Sequence, residues 1–333
     1  MRKLAPFLAG TILLAISCTK QDQQIAESPV LETELPDGRH CASNDVLEEQ
    51  IAINPARGKF LEDLEIKTLN FKGRNYANRG NVVLYVPVVV HIVLTSTNNA
   101  KVTDAQVASQ IAVLNKDFRK QNSELTNSSV YLAGYNFNSV PDCQIEFVLK
   151  QTIRKISTVA TFGTNDAVKK TSQGGSDPVN PTSMLNLWVC DLSSGLLGYA
   201  QFPGGPVATD GVVIDWQGFG TSAATTGYSL YTAYAEGRTA THEIGHWFNL
   251  RHIWGDKRCG NDFVTDTPAH DGSNGGCPAV GLKSACTGKP LEQWMNYMDY
   301  TYDKCMYMFS AGQKLRMDAA IDAARSGYVS TTK

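Results

Sequence analysis

The sequence predicts an α/β domain on a mixed sheet, carrying a histidine-rich helix and followed by a loop-rich, cysteine-rich region. Three observations predict it. A valine-dense run, NVVLYVPVVVHIVL (81–94), reads as a buried strand, and an amphipathic helix pattern follows it. HEIGHWFNLRH (242–252) sets three histidines and a glutamate at defined spacings. Between 259 and 305 lie four of the eight cysteines, among many Gly and Asp and without periodicity.

The elements follow in order. Arg2 and Lys3 form a positive start, Leu4 to Ile16 is a short apolar stretch, and small Ser17 precedes Cys18. That is the pattern of an export signal over 1–17, too short to span a bilayer. Ala-Ile-Ser-Cys resembles a lipobox, which makes Cys18 the expected lipidation site and that lipid the expected membrane contact. The protein is therefore expected outside the cytoplasm, as an outer-membrane or cell-surface lipoprotein or in secreted form. Residues 18–40 are polar and aperiodic and read as a tether. Residues 41–73 are charged and helix-prone, with too few apolar positions for a core of their own, so they are expected to pack onto the rest of the chain.

After the strand, VTDAQVASQIAVLNKDF puts Val107, Ile111, Leu114 and Phe118 on one helical face, with Thr103 or Asp104 as the cap. CQIEFVLKQ, MLNLWVCDL, GYAQFP and GVVIDW read as further strands. The histidine helix is expected near 236–249, and a last amphipathic helix near Ser310. At 333 residues the chain holds one large domain or two ordinary ones. A net charge of -2 supplies no basic field, which argues against nucleic acid as a partner.

His242 and His246 lie four apart, on one face of a helix, so both can grip one ion. Glu243 points to one side and can reach a water there. This is the arrangement of zinc-assisted hydrolysis, with zinc as the expected cofactor. A catalytic zinc needs a third protein ligand, and His252 supplies it if the helix stops soon after His246. Asn249 stands where the longer form of the motif has glycine. Asparagine is the next most tolerant residue of a left-handed turn, at about 1 kcal/mol of local strain. Met298 in NYMDY then matches the methionine turn that accompanies the long motif in metzincins.

GRTATHEIGHWFNLRHIWGD, CGNDFVTDTPAHDGSNGGCP and NYMDYTYDKCMYMFSAGQKLRM together resemble the pappalysin family of metzincins, most closely its bacterial cytophagalysin and ulilysin-like members. The resemblance runs from about 75 to 325. It implies an α+β metzincin fold: a twisted five-stranded mixed sheet with two long helices above, and an irregular disulfide-linked subdomain below. It implies a secreted zinc endopeptidase made with an inhibitory prosegment, here 41–73, ahead of a catalytic domain at 74–333. His242, His246 and His252 become zinc ligands, and Glu243 the general base. Tyr300 becomes an oxyanion stabiliser, and Asp303 the base of a pocket selecting arginine, or less strongly lysine, after the scissile bond. Cys41 becomes the thiolate of a cysteine switch.

The same resemblance implies Cys259–Cys286 and Cys277–Cys305 disulfides, where the residues alone leave three pairings open. Cys143 and Cys190, both on strand-like stretches, are candidates for a third bridge. Asp262, Asp266 and Thr267 resemble a structural calcium loop. Arginine-directed self-cleavage would find sites at Gly73–Arg74 and Asn78–Arg79 in KGRNYANRG. Expected partners are protein or peptide substrates, bound to a monomer. The competing reading is a non-catalytic peptide-binding protein on a metzincin scaffold; a zinc hydrolase acting on cell-wall or small peptides is a third. GYAQFP, as an extended edge, favours polypeptide bound by strand pairing.

Overall fold

β1 (Leu84–Leu94) is almost wholly buried because both its faces are covered. β-branched residues fill such two-sided strands, which explains the unbroken apolar run. The structure, a computed structural model, describes Met1 and residues 38–71, 82–127, 140–227 and 230–333. The expected export signal, Cys18, nearly all of the tether and both expected self-cleavage sites lie outside the described residues.

β2 (Ile145–Ile156), β3 (Leu185–Cys190), β4 (Gly198–Ala200) and β5 (Val212–Asp215) complete a five-stranded sheet in the order β2-β1-β3-β5-β4. Its four neighbour pairs are parallel except β4 with β5, which is antiparallel. β4 is thus an edge strand running against the others.

Among the described residues, seven α-helical segments surround it. They are α1 (Ser43–Ile53), α2 (Pro55–Asn70), α3 (Ser96–Asn99), α4 (Asp104–Phe118), α5 (Glu124–Asn127), α6 (Arg238–Trp247) and α7 (Ala311–Ala320). Thr103 caps α4 by accepting from Gln106 N. Ser310 caps α7 in a capping box with Gln313. α4 packs on β2 and α6, under one face of the sheet. Val86, Val88, Val90, Leu114, Phe118, Ile244 and Met298 share that core. The opposite face carries Val93, Trp188, Cys190, Tyr199 and Val213.

The described part of the 41–73 stretch forms two helices because Pro55 disfavours helical backbone at Asn54. Asn54 instead caps α2 by accepting from Ala56 N. As expected, both helices pack onto the rest of the chain. Arg57 donates to Phe202 O at 2.9 Å, and Glu65 pairs with Arg316 at 2.7 Å.

From Phe248 to Ser310 the described chain forms turns, isolated bridges and one short 3-10 turn (Asp303–Cys305). Cys259–Cys286 and Cys277–Cys305 staple it, as the resemblance implied. The third bridge does not form: Cys143 and Cys190 are buried free thiols. They sit in the cores on opposite faces of the sheet, so the sheet itself keeps the thiols apart.

Candidate active site

α6 ends early because Asn249 turns left-handed, with φ 72°. Leu250 N then reaches back to Gly245 O at 2.9 Å, and the chain reverses. That reversal carries His252 to the two histidines of the helix. His246 Nε2 lies 3.2 Å from His242 Nε2 and 3.1 Å from His252 Nε2.

Each ring is aimed by a bond at its other nitrogen. His242 Nδ1 donates to Tyr297 O at 2.6 Å, His246 Nδ1 to Leu250 O at 2.8 Å, and His252 Nδ1 to the Asp256 carboxylate. The protons are thereby held on Nδ1, and three Nε2 lone pairs face one point. Burial first, then the neighbouring histidines, holds His242 and His246 well below the usual imidazole pKa, so they stay neutral. Three converging lone pairs repel one another unless a cation stands between them. Tetrahedral ligands about 2.1 Å from zinc stand roughly 3.4 Å apart, close to the spacing here. The donor set therefore fits zinc. Cys41 Sγ is a fourth donor in the group, whose ligand atoms all lie within 4.8 Å of one another.

Glu243 is buried beside this cluster. Its Oε2 accepts from Ser43 Oγ at 2.8 Å and from Cys41 Sγ at 3.3 Å. Burial pushes its carboxyl up to about 7, against the opposing pull of Ser43, Cys41 and Arg39. A group poised near neutrality suits both taking and giving a proton. Gly198 makes room for it: a Cβ there would lie 2.9 Å from Glu243 Oε1. On the other side of α6, a Cβ at Gly245 would lie 2.4 Å from Met298 Sδ, so glycine allows that methionine to pack under the histidines.

Residues 40–43 lie along edge strand β4. Leu197 N donates to His40 O at 2.9 Å and Ala42 N to Gly198 O at 3.1 Å, in parallel orientation. Tyr300 packs on His252 and Trp254, and its hydroxyl donates to Cys41 O at 3.2 Å. Arg39 enters a buried pocket, where its Nη2 meets Asp303 Oδ1 at 2.6 Å. Asp303 Oδ2 accepts the backbone N–H groups of Glu236 and Arg238, each at 3.0 Å.

The pregnancy-associated plasma protein-A family profile (peptidase M43) matches residues 175–322. An extracellular metalloprotease of Neurospora crassa is 35% identical over 240 residues, which is 70% of this chain and 73% of that protein. Another from Arthroderma benhamiae is 31% identical, over 71% and 77%. Among solved structures, Tannerella forsythia promirolysin, a mutant form, is 37% identical with a TM-score of 0.72, covering 85% of this chain and 94% of that one. Mature mirolysin in complex with a cleaved peptide is 41% identical with a TM-score of 0.64, covering 71% and 90%.

The chain belongs to the pappalysin family of zinc metalloproteases.

The pappalysin sheet, helices and disulfides are the fold the resemblance implied. The structure brings together His242, Glu243, His246, His252, Met298, Tyr300, Asp303 and Cys41 around one cleft. It does not bring Asp262, Asp266 or Thr267 there. Asp262 accepts from Val264 N and Thr267 Oγ1, and Asp266 from Ser310 Oγ and Gly312 N, so they secure a turn and the start of α7.

Arg39, Ser43, Thr239 and Asp256 were not singled out from the sequence. Asp256 follows His252 by four, a spacing that signals an anchor in hindsight. Arg39 stands two residues before Cys41, inside what reads as tether.

Proposed function

We propose that the described chain is the latent form of an endopeptidase cutting on the amino side of arginine, with lysine a weaker alternative. Its own segment 39–43 fills the cleft. The observation that carries this reading is Arg39, fully buried on Asp303 while Cys41 Sγ stands among the three histidines. A basic side chain in that pocket is what an arginine-directed protease would hold there during cleavage. The relative named promirolysin supports a zymogen form, and the extracellular relatives support export of this chain.

The order of residues explains why the segment blocks the cleft without being cut. A substrate cleaved before arginine presents the carbonyl of the preceding residue at the reacting centre. Here residue 41, which follows Arg39, occupies that place. The segment therefore runs against the direction of a productive substrate.

His242, His246 and His252 would hold zinc, with Cys41 on the fourth side. Bound zinc supplies Lewis acidity and makes water a competent nucleophile near neutral pH. Once the 39–43 segment leaves, Glu243 Oε2 is released from Ser43 and Cys41 and can take the proton of the attacking water. The same carboxyl then passes a proton to the departing amine. Tyr300, released from Cys41 O, can donate its hydroxyl to the developing oxyanion. The freed edge of β4 offers Leu197 and Gly198 backbone groups to an extended peptide.

Digestion of a complex peptide mixture with the activated protein tests this, with new termini read by mass spectrometry and Glu243→Ala as the control. Termini beginning with Arg or Lys, absent from the control, are expected. Termini with no basic preference would sink the Asp303 assignment. An intact Cys41→Ala chain as silent as the wild type would sink the switch.

A further inference from the structure

Asp303 can attract either basic side chain, so the pocket must tell arginine from lysine by other means. Resting on the arginine reading above, we infer that Thr239 is a specificity-determining residue, reading the second arm of the guanidinium while Tyr234 holds its flat face.

The argument starts from Asp303. Its Oδ2 is taken by two backbone N–H groups, so Oδ1 alone is turned to Arg39. The usual two-oxygen, two-nitrogen pairing of carboxylate with guanidinium is thereby closed off. Nη2 goes to Asp303 Oδ1 at 2.6 Å, with Met306 Sδ 3.2 Å away. Nη1 needs a different acceptor, and finds Thr239 Oγ1 at 3.1 Å. Nε has no hydrogen-bond partner, so the group is read at its two terminal nitrogens. The guanidinium carbon lies 5.1 Å from the Tyr234 ring centroid, within range of a cation–π contact.

Thr239 is well placed to discriminate. It is fully buried in the first turn of α6, so its hydroxyl does not swing away to solvent. Its acceptor is built into the wall rather than recruited. A lysine ammonium is a compact point charge. It can satisfy Asp303 Oδ1, but it has no second, rigidly spaced nitrogen for Thr239 and no flat face for Tyr234. Filling the pocket with lysine leaves the threonine oxygen without the donor that arginine brings, and an unmade buried bond is costly.

The test is Thr239→Val, which keeps the shape and removes the acceptor. Paired peptides differing only in Arg or Lys after the scissile bond are given to activated wild type and variant. Zinc content and melting temperature serve as controls of folding. A hydrogen bond to a charged group predicts that the Arg:Lys ratio of kcat/KM falls roughly tenfold or more, chiefly through KM for the arginine peptide. An unchanged ratio in a folded, zinc-loaded variant overturns the inference while leaving the pocket reading intact. A wild type indifferent to Arg and Lys overturns both.

The intact chain gives a second measurement. Arg39→Lys and Thr239→Val should each raise the activity of uncleaved protein, and together no more than the larger alone, because both remove one bond. Simple additivity would overturn the inference.

Discussion

The two halves that meet at the histidines are built by different means. The upper half, β1 through α6, is a sheet with helices, and it carries an apolar core on each face of the sheet. Below it, from Phe248 to Ser310, the described chain has almost no regular structure. It is held by two disulfides and by turns that close on side-chain carboxylates and amides. Yet the lower half supplies His252, Asp256, Met298, Tyr300 and Asp303, while the upper half supplies His242, Glu243 and His246. Regular structure positions the helix of the motif. Irregular, stapled structure positions what surrounds the substrate, where side chains must converge from several directions at once.

That division can be broken from either side. The largest effect belongs to the upper half. Glu243→Ala should lower peptide hydrolysis by about 10²–10⁴-fold, as loss of a general acid–base does, with zinc content by elemental analysis unchanged. Retained activity would mean that the proton carrier lies elsewhere.

Loss of a lower-half staple should come next. Cys259→Ala with Cys286→Ala should cost about 2–5 kcal/mol of stability, read as a fall in melting temperature. If the region were held mainly by packing, the loss would be far smaller. Asp256→Ala should then lower zinc affinity or activity about 10- to 100-fold by leaving the His252 ring unanchored. Competition with a chelator of known affinity measures it. An unchanged affinity would show that packing against Trp254 suffices to aim the ring.

A smaller effect lies in the upper half and depends on pH. Burial pushes the Asp117 carboxyl up to about 6, against the pull of Arg238 and Thr241. The native state therefore holds a proton that the unfolded chain releases from about pH 4 upward. Stability relative to an Asp117→Asn variant should fall as the pH rises from about 4 to about 6, and level off above. Denaturant melts at several pH values check it; parallel curves would remove the effect.

The smallest concerns the turn between the halves. Asn249→Gly should change stability by under about 1 kcal/mol, since relief of left-handed strain is offset by a looser unfolded chain. Asn249→Ala puts at φ 72° a residue that tolerates the left-handed region less well than asparagine, and should destabilise more. Equal melting temperatures for the two would mean that the turn is not held by its backbone preference.

The upper half was legible in outline from local patterns. Periodicity marked β1 and α4, the spacing of His242, Glu243 and His246 marked the catalytic helix, and Asn249 marked its end, because each is a local consequence of backbone geometry. Several features were decided only by tertiary structure. Cys143 and Cys190 both look available for a bridge in one dimension, and the sheet puts them on opposite faces. Arg39 looks like tether until the fold sets Asp303, distant in sequence, beside its guanidinium. The need for glycine at 198 and 245 follows from Glu243 and Met298 pressing against them, which no local pattern records. Local sequence sets the periodicity and the turns; the partners of a buried charge, a thiol or a glycine are set by whichever distant segment the fold brings within a few ångströms.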